Sequence, residues 1–363
     1  MTTTEMSRGD ALSSRIFLAG LEALELLNME LGLRLGLYQR LVDAGPLTSA
    51  NVASAAGIDE RYAREWLEQQ AVAGIIDVID AASDAEERTY AVAREVAAVL
   101  LDADNPANTT ALTAFLAECG RMLPAVADAF RTGAGVPYAD YAIHDPQAAF
   151  TRPVLVHQLV QEWLPALPDV HDRLLTGEPL HIAEIGCGEG VAAIMIAQAF
   201  PKVTVVGFDL DDASVAVARK QAADAGVAER VKIERWDVSQ GAAQAPAPGP
   251  FDLVLAIEML HDVPDPVAVL TTMRDLCAAD GAVLVVDERA AEIFTAPGDE
   301  MERFFYAASV LHCLPVGMVE PGSAGTGTVI RPSVVRDYAS RAGLRTTVLD
   351  VEHPQFRLYR LGT

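Results

Sequence analysis

No apolar run in this chain reaches membrane-spanning length, and its opening, MTTTEMSRGD, lacks the basic, apolar, small-residue layout of a secretory leader. Cysteine is scarce. Cys119, Cys187, Cys277 and Cys313 are scattered and form no CxxC pair, which fits a reduced, cytoplasmic compartment. Basic residues are few: 27 Lys and Arg stand against 51 Asp and Glu, a net charge of −24. That balance argues against nucleic acid or an anionic membrane as a partner. What is plentiful is apolar: 51% of 363 residues, enough for a globular chain of two domains with full cores.

One stretch organises the rest. An apolar run from Leu180 to Ile185 ends abruptly in Gly186, Gly188 and Gly190, and a helical pattern from Val191 continues to Pro201. This predicts strand, tight glycine turn, helix, where glycine lets the backbone turn sharply and lets a ligand come close. A second apolar run, Val203 to Phe208, ends at Asp209, a carboxylate placed to take a ribose diol. A dinucleotide fingerprint would want its third glycine at position 191, which is Val191; here it comes one residue early. The G-x-G-x-G spacing preceded by Glu184 resembles motif I of the class I S-adenosylmethionine (SAM) methyltransferases. The resemblance implies SAM as cofactor, bound by Glu184, Gly186, Gly188, Gly190, Asp209 and the neighbouring Leu210. It also implies an adenine contact from Asp237, with Trp236 packed on the ring, and a cofactor contact from Glu258.

The chain ahead of this motif is organised differently. Residues 11 to 45 read as helical, with a broad apolar stripe from Leu12, Ile16, Leu18, Leu21 and Leu24 on to Leu27, Leu31, Leu35 and Leu41. The stripe is wider than a lone surface helix needs, so a partner subunit is expected. Thr48 or Ser49 caps a short helix to Ala56, and Asp59 caps a longer one through Ala73. Strands are expected at 75–79 and 89–92. Helix, turn, helix and hairpin outline a winged helix, which raises a DNA-binding regulator as a rival function. Charge weighs against it: residues 1–110 hold eight arginines and no lysine against eighteen acids, where phosphate contacts need the opposite sign. Small-molecule methyltransferases carry such a domain for dimerisation, and the resemblance implies a homodimer through it.

The expected plan is therefore a helical and winged-helix dimerisation domain over 1–110 and a helical bridge roofing a substrate cleft over 111–175. An α/β, Rossmann-like, seven-stranded methyltransferase domain follows over 176–363. The bridge carries Phe115, Phe130, Tyr138, Tyr141, His144, Phe150, Arg152, His157 and Trp163. Of these, Arg152 is the expected carboxylate partner of a substrate, with Phe150 beside it. Further strands are expected at 231–235, 251–257 and 282–286, one helix over 300–311, a glycine-rich lid over 321–328, a helix over 333–342 and two last strands near 345–352 and 355–361. Ligands belong at the carboxyl ends of the strands.

Two histidines carry the candidate chemistry. His261-Asp262 follows the fourth strand, and His suits general-base work because its pKa lies near neutrality. The pair resembles the His-Asp of winged-helix O-methyltransferases, where the histidine takes a proton from oxygen. His312 closes the helix after the fifth strand. His261, Asp262 and His312 together resemble the metal site of α-keto acid C-methyltransferases of antibiotic pathways. That resemblance implies Fe, Zn, Ni or Co, chelation of a 2-oxo acid, and methylation of C3 through the enolate. Asp287 and Glu288, at the tip of the fifth strand, are further supporting acids. The expected activity is C-methylation of a 2-oxo acid in specialised metabolism, with metal-independent O-methylation, His261 acting as general base, as the alternative.

Overall fold

A computed structural model describes residues 7–362, the side chains of residues 144–146 excepted, so His144 lies outside the described side chains. The chain divides into two compact units, Met1–Gly120 and Arg121–Thr363. No helix among the described residues is long and apolar enough to cross a membrane.

The first unit begins with α1 (Arg8–Arg34), whose N-terminus is capped by the Ser7 hydroxyl accepting from the Asp10 N–H at 3.1 Å. The single helix expected over 11–45 is two. Gly36 takes a left-handed φ of 66°, which stops α1 and lets α2 (Leu37–Ala44) start on a new axis. Where α1 passes Trp66 only Gly32 fits, because a Cβ there would run into the indole, whose Nε1 donates to the Asn28 carbonyl at 2.9 Å. Leu37, Tyr38, Leu41, Trp66, Leu67 and Tyr90 fill the core of the unit. The rest of the stripe stays outside: Leu12, Ile16, Leu18, Leu21, Leu24, Leu27, Leu31 and Leu35 are exposed, and so is Phe17.

A short strand β1 (Leu47–Thr48) leads into α3 (Ser49–Ala56), and the Thr48 hydroxyl caps it at Asn51 N–H. Asp59 caps α4 (Glu60–Val72). Strands β2 (Asp77–Val78) and β3 (Thr89–Ala91) are shorter than their apolar runs, and the antiparallel order is β1-β3-β2. α5 (Arg94–Leu101) follows. The arginines of α4 are spent on acids: Arg61 pairs with Glu65, and Arg64 with Glu60 and Glu86.

The division between units falls within α6 (Ala111–Thr132). Helix α7 (His144–Val154), a π-helical segment Leu155–Trp163 and α8 (Pro168–Thr176) then lead into a seven-stranded sheet. Its strands are β4 (His181–Ile185), β5 (Thr204–Asp209), β6 (Val231–Arg235), β7 (Phe251–Ile257), β8 (Cys277–Glu288), β9 (Arg345–Val348) and β10 (Phe356–Gly362). The spatial order is β6-β5-β4-β7-β8-β10-β9. The first five run parallel, and β10 is antiparallel to both its neighbours. Helices α9 (Val191–Ala199) and α10 (Asp212–Asp224) bury apolar side chains on one face. Helices α11 (Pro266–Leu276) and α14 (Pro332–Arg341) do so on the other.

Strand β8 starts five residues before the expected Ala282. Its register against β7 shifts between Phe251 and Leu253, where Gly281 lets the Asp252 carbonyl come within 2.9 Å of where a Cβ would sit. The helix expected over 300–311 is also interrupted. α12 (Glu300–Ala308) passes into a π-helical turn, Ser309–Cys313, and then α13 (Leu314–Gly317). Such insertions mark positions where packing overrides local preference.

Candidate functional site

The glycine turn at the end of β4 is pinned to β5. The N–H groups of Gly186 and Cys187 both donate to the Phe208 carbonyl, at 2.8 and 3.0 Å. The next donor, Gly188 N–H, reaches past that carbonyl to Asp209 Oδ2 at 2.8 Å, while Asp209 Oδ1 accepts from Asp211 N–H at 2.9 Å. Gly186, Gly188 and Gly190 have φ of 67°, 50° and 78°, a region closed to most side chains. At Gly186 a Cβ would also strike Met259. Glu184, buried at the tip of β4, accepts from the Ala193 N–H in the first turn of α9 at 2.9 Å. Burial pushes its carboxyl up to about 8; the Ala193 bond opposes this and Asp209 adds to it. Burial also raises Asp209, against the pull of its backbone N–H partners.

A second group forms beyond β7 and β8. Ile257 pairs with Val286, so the residues just past each strand end lie side by side. His261 is 3% exposed and meets three carboxylates. Its Nδ1 lies 2.7 Å from Asp287 Oδ1 and 2.9 Å from Glu288 Oε2; its Nε2 lies 3.3 Å from Asp262 Oδ1. Burial alone would lower the imidazole, but Asp262, Glu288 and Asp287 outweigh it and hold the ring well above its ordinary pKa. In return the imidazolium overcomes the burial of Asp287 and keeps it ionised, whereas burial wins at Glu288 and raises it strongly. Glu258 is the described non-glycine residue with a left-handed backbone, φ 51°, and burial lifts its carboxyl to about 8. Strain of that kind collects at functional sites.

A cavity of about 910 Å³ joins these groups, at the upper end of the size usual for small-molecule sites. Of the expected cofactor residues, Glu184, Gly186, Gly188, Asp209, Leu210, Trp236, Asp237 and Glu258 line it. Gly190 stands just behind as the N-cap of α9. Trp236 packs edge-on against Phe208, and Asp237 accepts from Ser239 N–H and its hydroxyl. Asp262 lines the cavity, and His261 sits behind it. Neither Arg152 nor Phe150 is among the lining residues; Phe150 stacks on Phe304 instead. Tyr138, Gln147, Thr151 and Leu155 line it from the segment that precedes the sheet. The polar pair Gln147 and Thr151, one helical turn apart in α7, is the signal that sequence reading passed over.

The expected metal donors are brought together in part. His261, Asp262 and Cys313 have donor atoms all within 4.8 Å of one another, and so do His261, Asp287 and Glu288. His312 is in neither group. The π-helical turn directs its ring edge-on to Tyr141, 4.7 Å between centroids, with Nδ1 3.4 Å from Cys313 Sγ. Burial lowers the His312 pKa, so it is held neutral, the form that ligates. The set fits a transition metal in one respect: the Nδ1 side of His261 is held by Asp287 while Nε2 faces Asp262, the arrangement in which carboxylates orient a ligating histidine.

Comparison with known proteins places these observations. Residues 183–283 match the family described as "Methyltransferase domain", and residues 23–101 match "Rv2258c-like winged HTH domain". The ubiquinone biosynthesis O-methyltransferase of Pseudomonas aeruginosa is 32% identical over 163 residues, 45% of this chain and 63% of that protein. The enzyme of that name from Ralstonia nicotianae is 28% identical over 208 residues, 56% of this chain and 76% of that protein. Thus the chain spans somewhat under two thirds of the length of the Pseudomonas relative. Among solved structures, mitomycin 7-O-methyltransferase MmcR is similar with a TM-score of 0.65 at 18% identity, over 97% of this chain and 98% of that one. Human N-acetylserotonin methyltransferase is similar with a TM-score of 0.65 at 18% identity over 100% of both chains. At these identities the likeness concerns the fold. This chain carries a methyltransferase domain with the class I, Rossmann-like fold of the SAM-dependent enzymes, preceded by a winged helix–turn–helix domain.

Proposed function

We propose that the protein transfers a methyl group from SAM to a hydroxyl oxygen of a small molecule. The observation that carries the reading is one cavity lined both by the glycine turn closed by Asp209 and by Asp262, with His261 and Asp287 in line behind Asp262. Asp209 keeps lone pairs for a ribose diol after taking its two backbone N–H groups. Asp287 fixes the His261 tautomer with Nδ1 protonated, which turns Nε2 to Asp262, the member of the line that reaches the cavity. The substrate proton leaves to this His–Asp pair, and the oxygen attacks the methyl carbon in line with the departing sulfur. A cation in the cavity opposes imidazolium, so SAM binding favours the neutral ring that can accept the proton. Calorimetry checks the cofactor: SAM should bind the wild type and bind Asp209→Ala about tenfold or more weakly. Equal affinity in the two proteins would sink this placement.

A second reading is C-methylation of a 2-oxo acid, supported by the clustering of His261, Asp262 and Cys313 and by the neutral His312 nearby. A metal held there would supply Lewis acidity to an acceptor whose carbon acid is too weak for imidazole alone. The protein's own part is to hold His261 through Asp287 and to exclude water. Elemental analysis separates the two readings. Near-stoichiometric Fe, Zn, Ni or Co in the purified protein, reduced in His312→Ala or Cys313→Ala, selects C-methylation; a metal-free protein that binds SAM selects O-methylation.

We also infer that the exposed apolar face of α1 seats a second copy of the chain, since Ile16, Phe17 and Leu24 are 64%, 72% and 62% exposed in the single chain. Light scattering should give twice the chain mass for the wild type and a smaller mass for Phe17→Asp with Leu24→Asp. An unchanged mass in the variant would refute the interface.

A further inference from the structure

We infer that the acceptor carries a positive charge, an ammonium or similar cationic group remote from the hydroxyl that is methylated. This rests on the proposed reading of the cavity as a methyl-transfer site, and it concerns what that site admits. The cavity wall is one-signed. Around the glycine turn it presents Glu184, Glu189, Asp209, Asp211 and Asp237. On the β7–α11 loop and the segment after α13 it presents Glu258, Asp262, Asp265 and Glu320. Among the described lining residues there is no Lys, Arg or His.

Not all of these acids are charged at neutral pH, since burial lifts both Glu184 and Glu258 to about 8. Those at the turn are also accounted for by backbone partners and by a donor that itself carries a sulfonium. Away from the turn, Asp265 is accounted for in the same way, since its carboxylate caps α11 by accepting from the Ala268 N–H at 2.9 Å, which leaves Asp262 and Glu320. Elsewhere in this unit carboxylates meet arginine: Asp252 takes Arg173 at 2.6 Å, Glu302 takes Arg331 at 2.5 Å, and Asp169 takes Arg360. Asp262 and Glu320 have no Lys or Arg ion pair among the described residues. Asp262 has His261 behind it, but that ring is shared with Asp287 and Glu288, so the group as a whole stays acidic.

The field reaches the Tyr138 hydroxyl, which burial raises first and then Asp209, Asp262, Asp211 and Glu189 raise further. Tyr138 also lines the cavity, and an aromatic ring is a suitable neighbour for a cation. An anionic acceptor would enter against several like charges, at a cost that a cation avoids. The chemistry is unchanged by the extra charge. The hydroxyl proton passes to the His261–Asp262 pair, the O–C bond forms as the S–C bond breaks, and that bond's electron pair stays on sulfur.

Three phenols of one shape and different charge test this: tyramine, para-ethylphenol and para-hydroxyphenylpropionate. Their binding is measured by calorimetry on chelator-treated full-length protein, with and without S-adenosylhomocysteine. Tyramine should bind about tenfold or more tightly than the propionate, with ethylphenol between them and a gap that shrinks with added salt. Glu320→Gln should narrow the gap by about threefold, as befits one exposed charge, while leaving ethylphenol unmoved. Equal affinities, tighter propionate, or no tyramine binding at millimolar concentration overturns the inference. So does a preference for the propionate that appears once Fe or Zn is restored, since the acids would then be serving a metal. SAM affinity, measured on the same preparation, separates failure of this inference from failure of the cofactor reading.

Discussion

Two buried histidines of the second unit show opposite behaviour. His261 and His353 are 3% and 4% exposed, so each ring has lost nearly all its water. His353 lies against Trp163 and Phe356, and its Nδ1 accepts from the N–H groups of Gln355 and Phe356, at 3.1 and 2.9 Å. Burial first, and Arg289 second, push it down to about 4. His261 has the same burial but three carboxylates within 3.3 Å, and it is pushed up instead. Burial by itself makes an imidazole neutral and inert. Carboxylate company at the strand ends makes one strongly basic. The difference separates a histidine held neutral beside a loop from one held charged among carboxylates at the strand ends.

The largest break in this comparison is to remove the carboxylate that makes His261 different. Asp287 is fully buried, so Asp287→Ala leaves the imidazole without its shortest partner. Losing one partner of a buried pair costs about 3–5 kcal/mol. Glu288, still beside Nδ1, should hold the loss toward the lower figure. Turnover should fall by about a hundredfold or more, because the ring is no longer oriented. SAM affinity should not change, since Asp287 is not among the cavity-lining residues. Wild-type turnover in Asp287→Ala would show that the His–Asp line is not the proton acceptor.

How much of this could be read from residue order depends on whether the determinant is local. The turn at Gly186–Gly190 and Asp209 was legible, because an apolar run that stops at glycine, and another that stops at aspartate, is a strand-end signal complete within the segment. The caps at Thr48 and Asp59 were legible for the same reason. The break at Gly36 was hidden by leucines whose helical spacing continues across it. The early start of β8 was hidden by an opening of weak strand formers, Cys-Ala-Ala-Asp followed by glycine, that becomes strand through pairing with Phe251. At the candidate site, His261 and Asp262 were visible as neighbours. The π-helical turn was not, because it depends on what packs around α12 and α13, and it is what brings Cys313 rather than His312 to the His261–Asp262 pair.

The smaller effect lies on the inert side of the comparison. A histidine depressed to about 4 in the folded chain stays neutral there, while the unfolded chain takes up its proton below about pH 6.5. The stability it confers is therefore complete above that pH and is lost as pH falls from about 6.5 to 4, by up to about 3 kcal/mol. Urea unfolding at a series of pH values should show this slope, and His353→Gln, which keeps an acceptor but cannot titrate, should flatten it. An identical slope in the variant would mean that other groups carry it. The two causes can then be ranked. Arg289 donates to the His353 carbonyl at 2.8 Å and adds its charge to the effect of burial. Because burial is the larger cause, Arg289→Met should raise the His353 pKa, followed by NMR, by less than about one unit. Recovery to about 6.5 would make the arginine's charge the dominant cause. His353 and His261 would then differ through the sign of their neighbours, with burial secondary in both.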